Sequence, residues 1–258
     1  MMYYTDFIQQ LGLAASCKTL YVMGAFGAPL NAKNKARYRK NNAYNKQPAR
    51  QAKIDAATDD TFAFDCCGLA PKGILWGWNA DKTKTYGGAK YKSNGVPDTN
   101  VSGFLKKCTD VSTDFSKIVP GEFLYMEGHC GIYIGDGLAI ESSPIWKDGV
   151  QITAVENMDH PSGYHVRKWL KHGKLKYIEY PVEPAEWVPQ VGEEVFFNGS
   201  THYTNANATN GKQCLPGPAV VKRIYRLGKS KHPFKIKGKK PCTANGWVDQ
   251  EDLIQAFK

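Results

Sequence analysis

Near the start of the chain, Phe7, Ile8, Leu11, Leu13 and Ala14 fall at helical spacing, which predicts a helix over residues 5–16 with Thr5 or Asp6 as its cap. A second apolar run, Leu69, Ile74, Leu75 and Trp76, follows Asp65-Cys66-Cys67-Gly68 and reads as a helix opening at the cysteines. Pro71 lies inside that run, where proline removes an N–H bond, so the helix has to bend early or start close to it. Residues 86–100 are rich in Gly and Lys and read as loop, followed by a short helix over 101–107 capped by Asp98 or Thr99. The period then changes to two. Residues 123–126, 129–134, 138–142, 150–155 and 164–170 are short, β-rich segments separated by turn residues, with Gly135-Asp136-Gly137 as a hairpin turn. Helices first and strands afterwards predict an α+β unit with an antiparallel sheet.

Residues 171–190 hold Pro181, Pro184 and Pro189 among polar residues and read as the connection to a second unit. Beyond them, 195–197, 219–227, 233–237 and 246–248 predict spaced short strands of a small all-β barrel. The expected division is a first domain over 1–180, a linker over 181–187 and a second domain over 188–258.

Composition narrows the partners. The 258 residues, 42% of them hydrophobic, suffice for two small domains or one large one with a real core. A net charge of +10 and a pI near 9.1 imply an anionic partner: nucleic acid, a membrane face, or a polymer such as a cell wall. From Val191 onward eleven Lys or Arg stand against five Asp or Glu, so this segment carries +6 of the total. Residues 31–53 are also basic, with no acid between Asp6 and Asp55, and read either as a solvated face or as an electrostatic binding surface. Only Tyr38 and Tyr44 interleave with these charges, which argues against a dedicated nucleic-acid arm.

Seven cysteines without a Cys-x-x-Cys form neither a disulfide framework nor a zinc signature, which points to a reducing compartment. The amino terminus lacks a basic region followed by an apolar stretch, and no run approaches the ~18 apolar residues of a membrane span. The expectation is cytoplasmic synthesis without a signal peptide, with another agent delivering the protein to any target outside a membrane.

Amide hydrolysis by a thiol needs a thiolate, a base that generates it and protonates the leaving amine, and a group that orients the base. Cys66, just behind Asp65 at a helix start, has free N–H groups and a favourable dipole to support the anion. Its bland alternative is an inert buried cysteine. His129 opens a strand; His160, His165, His172, His202 and His232 lack that setting. Trp76, Trp78 and Trp146 could line a groove, with core packing the expectation for most of them.

Phe64-Asp65-Cys66-Cys67-Gly68-Leu69 and Gly128-His129-Cys130-Gly131-Ile132-Tyr133-Ile134 resemble the Asp-Cys-Ser-Gly and Gly-His-x-Gly-Ile-Tyr patterns of NlpC-type cysteine peptidases. These are papain-like enzymes that cut peptidoglycan stem peptides. Tyr21-Val22-Met23-Gly24-Ala25 resembles the family's Tyr-x-x-Gly-Gly stretch, with Ala25 in place of the second Gly. The resemblance implies Cys66 as nucleophile, His129 as base and Glu141, on the following strand, as the orienting group; a surface strand glutamate is the bland alternative. It also implies that Tyr21 and the Cys66 N–H bind the oxyanion, with Asp65 in the same substrate-binding set. Cys67 replaces the family's usual Ser and is expected to pack away from the site. Gly246-Trp247-Val248 with Leu253 resembles the end of bacterial SH3-like wall-binding modules.

The implied protein is a monomeric peptidoglycan hydrolase of phage-endolysin type, acting on the anionic cell wall after release or from outside, with no obligate nucleic acid. On the same resemblance no metal or organic cofactor is expected. The expected bond is γ-D-glutamyl–diamino acid. The rival within the enzyme class is amidase cleavage between the muramic acid lactyl group and L-alanine. From a different class comes a non-catalytic basic wall- or nucleic-acid-binding protein.

Overall fold

The helix at the start of the chain forms because one face of it can be buried. In the computed structural model, which describes residues 1–180 and 187–255, strand β1 (Met2–Tyr3) leads into α1 (Tyr4–Ser16), and Phe7, Leu11 and Ala14 are fully buried along one stripe. Each buried side chain of the Phe or Leu kind contributes about 1.5–3 kcal/mol. The cap position is Tyr3, without a side-chain cap, so Thr5 and Asp6 lie inside the first turn, where Asp6 still suits the positive end of the helix.

Strands β2 (Thr19–Tyr21), β3 (Phe26–Pro29) and β4 (Phe62–Phe64) make a small sheet with β4 at its centre, parallel to β2 and antiparallel to β3. Between β3 and β4 the basic segment forms α2 (Ala32–Asn41) and α3 (Pro48–Ala56). The Asn31 side chain accepts from the Asn34 N–H at 3.0 Å and Pro48 opens α3, both favoured helix starts. Tyr38 and Ile54 bury against Val22, Leu30 and Ala63. Arg50 is buried too: it pairs with Asp148 at 2.7 Å and donates to the Tyr21 carbonyl, so one charge of this segment is structural.

The cysteine helix is broken. Its helical path over 66–75 is interrupted at Ala70, which is extended (φ −143°, ψ 132°). The cause is Pro71, which has no N–H and pushes the preceding residue out of the helical region. Next come α4 (Val101–Leu105), shorter than expected and capped by Asn100, whose side chain accepts from Gly103 N–H at 2.8 Å, rather than by Asp98 or Thr99.

The remaining strands of this unit are β5 (Cys108–Ser112), β6 (Phe123–Met126), β7 (His129–Gly135), β8 (Leu138–Ser143), β9 (Gly149–Val155), β10 (Val166–Arg167), β11 (Lys171–Leu175) and β12 (Ile178–Glu179). Seven of them form a sheet ordered β10-β9-β8-β7-β6-β11-β5, antiparallel except for β9 with β10. Strand β11 corrects the reading of 171–190 as connection: it lies inside the sheet, and His172 is buried in a pair with Glu122. Strand β12 pairs with β1. One face of the large sheet is covered by α1 and the tryptophan-bearing segment, burying Trp76, Trp78, Phe104, Phe123, Ile132 and Ile140; the other buries Leu124, Tyr133, Val155 and Trp169.

The chain divides into two compact units, Met1–Pro181 and Val182–Lys258. Apart from Trp187, the linker expected at 181–187 lies outside the described residues. The second unit consists of β13 (Glu194–Phe197), β14 (Thr201–Tyr203), β15 (Gly211–Gln213), β16 (Gly217–Ile224), β17 (Phe234–Gly238), β18 (Asn245–Val248) and β19 (Leu253–Gln255). They form an antiparallel sheet ordered β15-β14-β18-β17-β16-β13-β19 around Val195, Phe197, Val221, Phe234, Ile236 and Val248. Its outer strands β15 and β19 are not paired with each other, so among the described residues this is an all-β unit without barrel closure. The whole is an α+β protein with few helices and several sheets. Among the described residues no helix is long and apolar enough to cross a membrane.

Candidate active site

Strand register decides which side chains of the large sheet can meet. Ile132 lies opposite Ile140, so Glu141 falls across from Gly131, and His129, two residues earlier, is on the same face. Glu141 pairs with Gln151 and Val155 with Arg167, which brings Thr153 and Arg167 to that face as well. His129, Glu141, Thr153 and Arg167 thus form a polar diagonal across four adjacent strands.

Glu141 is the hub of that diagonal. It is 1% exposed, and its carboxylate accepts from His129 Nε2 at 2.5 Å, Thr153 Oγ1 at 2.8 Å and Arg167 Nε at 2.7 Å. Burial raises its pKa, but the hydrogen bonds and charges of His129 and Arg167 outweigh that and hold it below the usual range. Burial likewise disfavours the His129 imidazolium, and Cys66 together with Glu141 reverses the balance, so the imidazole is more basic than usual. Trp169 stacks against the ring (centroids 5.7 Å apart, 15° between planes), limiting its rotation. Arg167 in turn lies under Trp146, 4.7 Å from the ring centroid. Sequence reasoning did not single out Arg167 or Thr153.

Cys66 opens the short helical turn directly after β4. Asp65 fixes that turn: one carboxylate oxygen accepts from Gly68 N–H at 2.5 Å and the other from Gly24 N–H at 2.8 Å. Gly68 is required there because a Cβ would lie 1.8 Å from the Ala25 carbonyl oxygen. Asp65 borders the cleft, but both its oxygens are committed to backbone, which makes it a brace between the Tyr21–Ala25 stretch and the Cys66 turn. Its burial and the adjacent Cys66 raise its pKa to about 6. Ser142, on β8, donates to the Phe64 carbonyl at 3.1 Å and ties the sheet to the same turn.

The thiol of Cys66 has Cys130, Cys67 and His129 as polar neighbours, and these, against the effect of burial, lower its pKa below the ordinary thiol value. The three sulfurs of Cys66, Cys67 and Cys130 lie within 4.8 Å of one another, with 3.6 Å between Cys67 and Cys130. Cys67 therefore joins the sulfur cluster rather than simply packing away from it. The broken helix leaves only one turn behind Cys66, so its anion is supported chiefly by these side chains rather than by a long helix dipole.

A cleft of about 530 Å³ opens over Cys66, bordered by Tyr21, Met23, Lys72, Asp98 and Gly128. Burial first, then the charges of Cys66 and Asp65, keep the Tyr21 hydroxyl protonated and able to donate. Trp76 and Trp78 are core residues, whereas Trp146 is 41% exposed. A larger cavity of about 590 Å³ is bordered by Met2, Gln10, Trp78 and Tyr177, with no cysteine or histidine among the described residues of its lining. No known family model matches the sequence and no curated protein matches it.

Proposed function

We propose that the protein is a peptidoglycan hydrolase of the NlpC-type, papain-like class, cutting stem-peptide amide bonds. The observation that carries the reading is the series Cys66–His129–Glu141: a buried carboxylate 2.5 Å behind the imidazole, and a thiol in front of it whose pKa the imidazole helps to lower. Cys66 attacks the amide carbonyl as a thiolate. The tetrahedral oxyanion is met by the Cys66 N–H, which lacks an i−4 partner at the start of its turn, and by the Tyr21 hydroxyl. Each such donor is worth roughly 3–4 kcal/mol in the transition state. The His129 imidazolium, its charge balanced by Glu141, gives its proton to the leaving amine, and a thioester on Cys66 remains. Water deprotonated by His129 then hydrolyses the thioester and regenerates the thiolate and the imidazolium.

The second unit, all-β and with six of the ten net positive charges beyond Val191, serves as an SH3-like module that holds the anionic wall. A thiol hydrolase joined to such a unit fits a monomeric phage endolysin that reaches the wall after release. The bond expected is γ-D-glutamyl–diamino acid. Digesting purified peptidoglycan and identifying the new termini by mass spectrometry tests it. New diamino-acid amino termini support the endopeptidase, free L-alanine termini replace it with the amidase, and an unchanged wall leaves a binding protein.

A further inference from the structure

The triad accounts for one of three clustered sulfurs, two of which, Cys66 and Cys67, border the cleft. Cys130 is the second residue of β7 and is fully buried, and Cys67 is 5% exposed. We propose that Cys66, Cys67 and Cys130 form a capture site for a soft, thiophilic cation of the Zn²⁺ type, and that an ion held there blocks the nucleophile.

The spacing fits such an ion. A metal–sulfur bond of about 2.3 Å with tetrahedral angles sets neighbouring sulfurs about 3.8 Å apart. Cys67 and Cys130 already stand at 3.6 Å, and Cys66 lies within 4.8 Å of both, so closure needs a shift of about 1 Å or less at the half-buried Cys66. Cys67 and Cys130 are held by the core, which leaves the ligand frame largely preformed.

The donor set also selects. Among the described residues no carboxylate oxygen joins the cluster, and both oxygens of neighbouring Asp65 are occupied by Gly24 and Gly68 N–H groups. Sulfur without oxygen favours zinc-like and copper(I)-like ions over magnesium or calcium. The cleft bordered by Cys66 and Cys67 gives an entry path and room for water as a fourth ligand. Each coordinated sulfur is a thiolate, so any proton it carries passes to solvent on binding. Coordination uses the Cys66 lone pair that would attack the substrate. Ion capture stands independently of the hydrolase reading, whereas the block of turnover rests on it.

The test titrates the reduced, full-length protein with Cd²⁺, following the thiolate-to-metal absorption band, and then displaces Cd²⁺ with Zn²⁺. One saturable ion per chain is expected. Cys67→Ser and Cys130→Val, the latter keeping a buried strand position filled, should each weaken binding at least tenfold with unchanged circular dichroism. Cys17→Ala and Cys214→Ala should bind as the parent does. Zn²⁺ should stop wall digestion over the concentration range in which it binds, and a chelator should restore it. Loss of binding in Cys66→Ala supports the site without any activity measurement. Absence of a saturable ion, or parental affinity in both Cys67→Ser and Cys130→Val, overturns it. Ion binding in a protein that digests no wall would retain the site and remove the hydrolase reading. Undiminished digestion at saturating Zn²⁺ would overturn the claimed block.

Discussion

Replacing Glu141 with Gln removes a charge and one acceptor from a position where both carboxylate oxygens are hydrogen-bonded. The carboxylate meets His129 at 2.5 Å, Arg167 at 2.7 Å and Thr153 at 2.8 Å. An amide has a single oxygen, and if Arg167 and Thr153 keep it, the NH₂ faces His129 Nε2. That ring nitrogen must then accept, which places the proton on the nitrogen near Cys66, the wrong tautomer for taking a proton from it. The charge loss alone costs the imidazolium roughly 2–3 kcal/mol, the value of a charge-assisted hydrogen bond in a buried site. At about 1.4 kcal/mol per tenfold, kcat falls roughly 30- to 150-fold, with little change in KM because Glu141 touches no substrate. The pH profile gives the sign independently. By the proposed mechanism, wild-type activity should need the Cys66 thiolate and the His129 imidazolium, persist into acid because the thiol is depressed, and be lost as pH rises through the raised His129 value. Glu141→Gln should move that alkaline limb toward lower pH. Initial rates of amine release from purified wall between pH 4 and 9 measure both effects. A variant within threefold of wild type, with an unmoved alkaline limb, would refute the orienting role of Glu141.

Arg167→Met should shift the alkaline limb the opposite way, since losing a cation beside Glu141 makes the His129 imidazolium easier to hold; a shift toward acid in the same rate assay counts against the diagonal. The lost bond to a buried carboxylate should also lower stability by about 1.5–3 kcal/mol, read by urea denaturation. Gly68→Ala forces a methyl against the Ala25 carbonyl and should cost at least about 1–3 kcal/mol and most activity, and wild-type melting with full activity would contradict the packing described. Sedimentation of the full chain with purified walls should weaken as salt rises from 0.1 to 1 M, over which the screening length falls from about 10 to 3 Å. Removing residues 182–258 should reduce it several-fold, and equal sedimentation without them would remove the wall-binding role.

The β-hairpin that carries His129 and Glu141 was legible because its alternation and Gly-Asp-Gly turn are local signals. Whether the two residues share a face was not, since that depends on a pairing register which the sequence leaves open. Arg167 was hidden for a different reason: its strand has only two residues and pairs in parallel, so the contact with Glu141 arises from tertiary placement. Lys171–Leu175 looks like a connection because it is polar, and becomes a strand because His172 finds a buried carboxylate in Glu122. Pro71 announced a conflict with its helix, and the structure resolves it as a break at Ala70 that leaves Cys66 on a single turn. The sulfur cluster had no pattern in sequence, as Cys130 approaches Cys66 and Cys67 only once β7 is seated beside that turn.

Whether Cys66 is the nucleophile of a wall-digesting enzyme is read most simply from the release of new amino groups from purified peptidoglycan by wild type, Cys66→Ala and Cys67→Ser. Wild type should release amino groups steadily, Cys67→Ser should retain that release, and Cys66→Ala, folded as wild type, should give none above background. Release by Cys66→Ala, or an active Cys66→Ala beside an inactive Cys67→Ser, would contradict the assignment of Cys66.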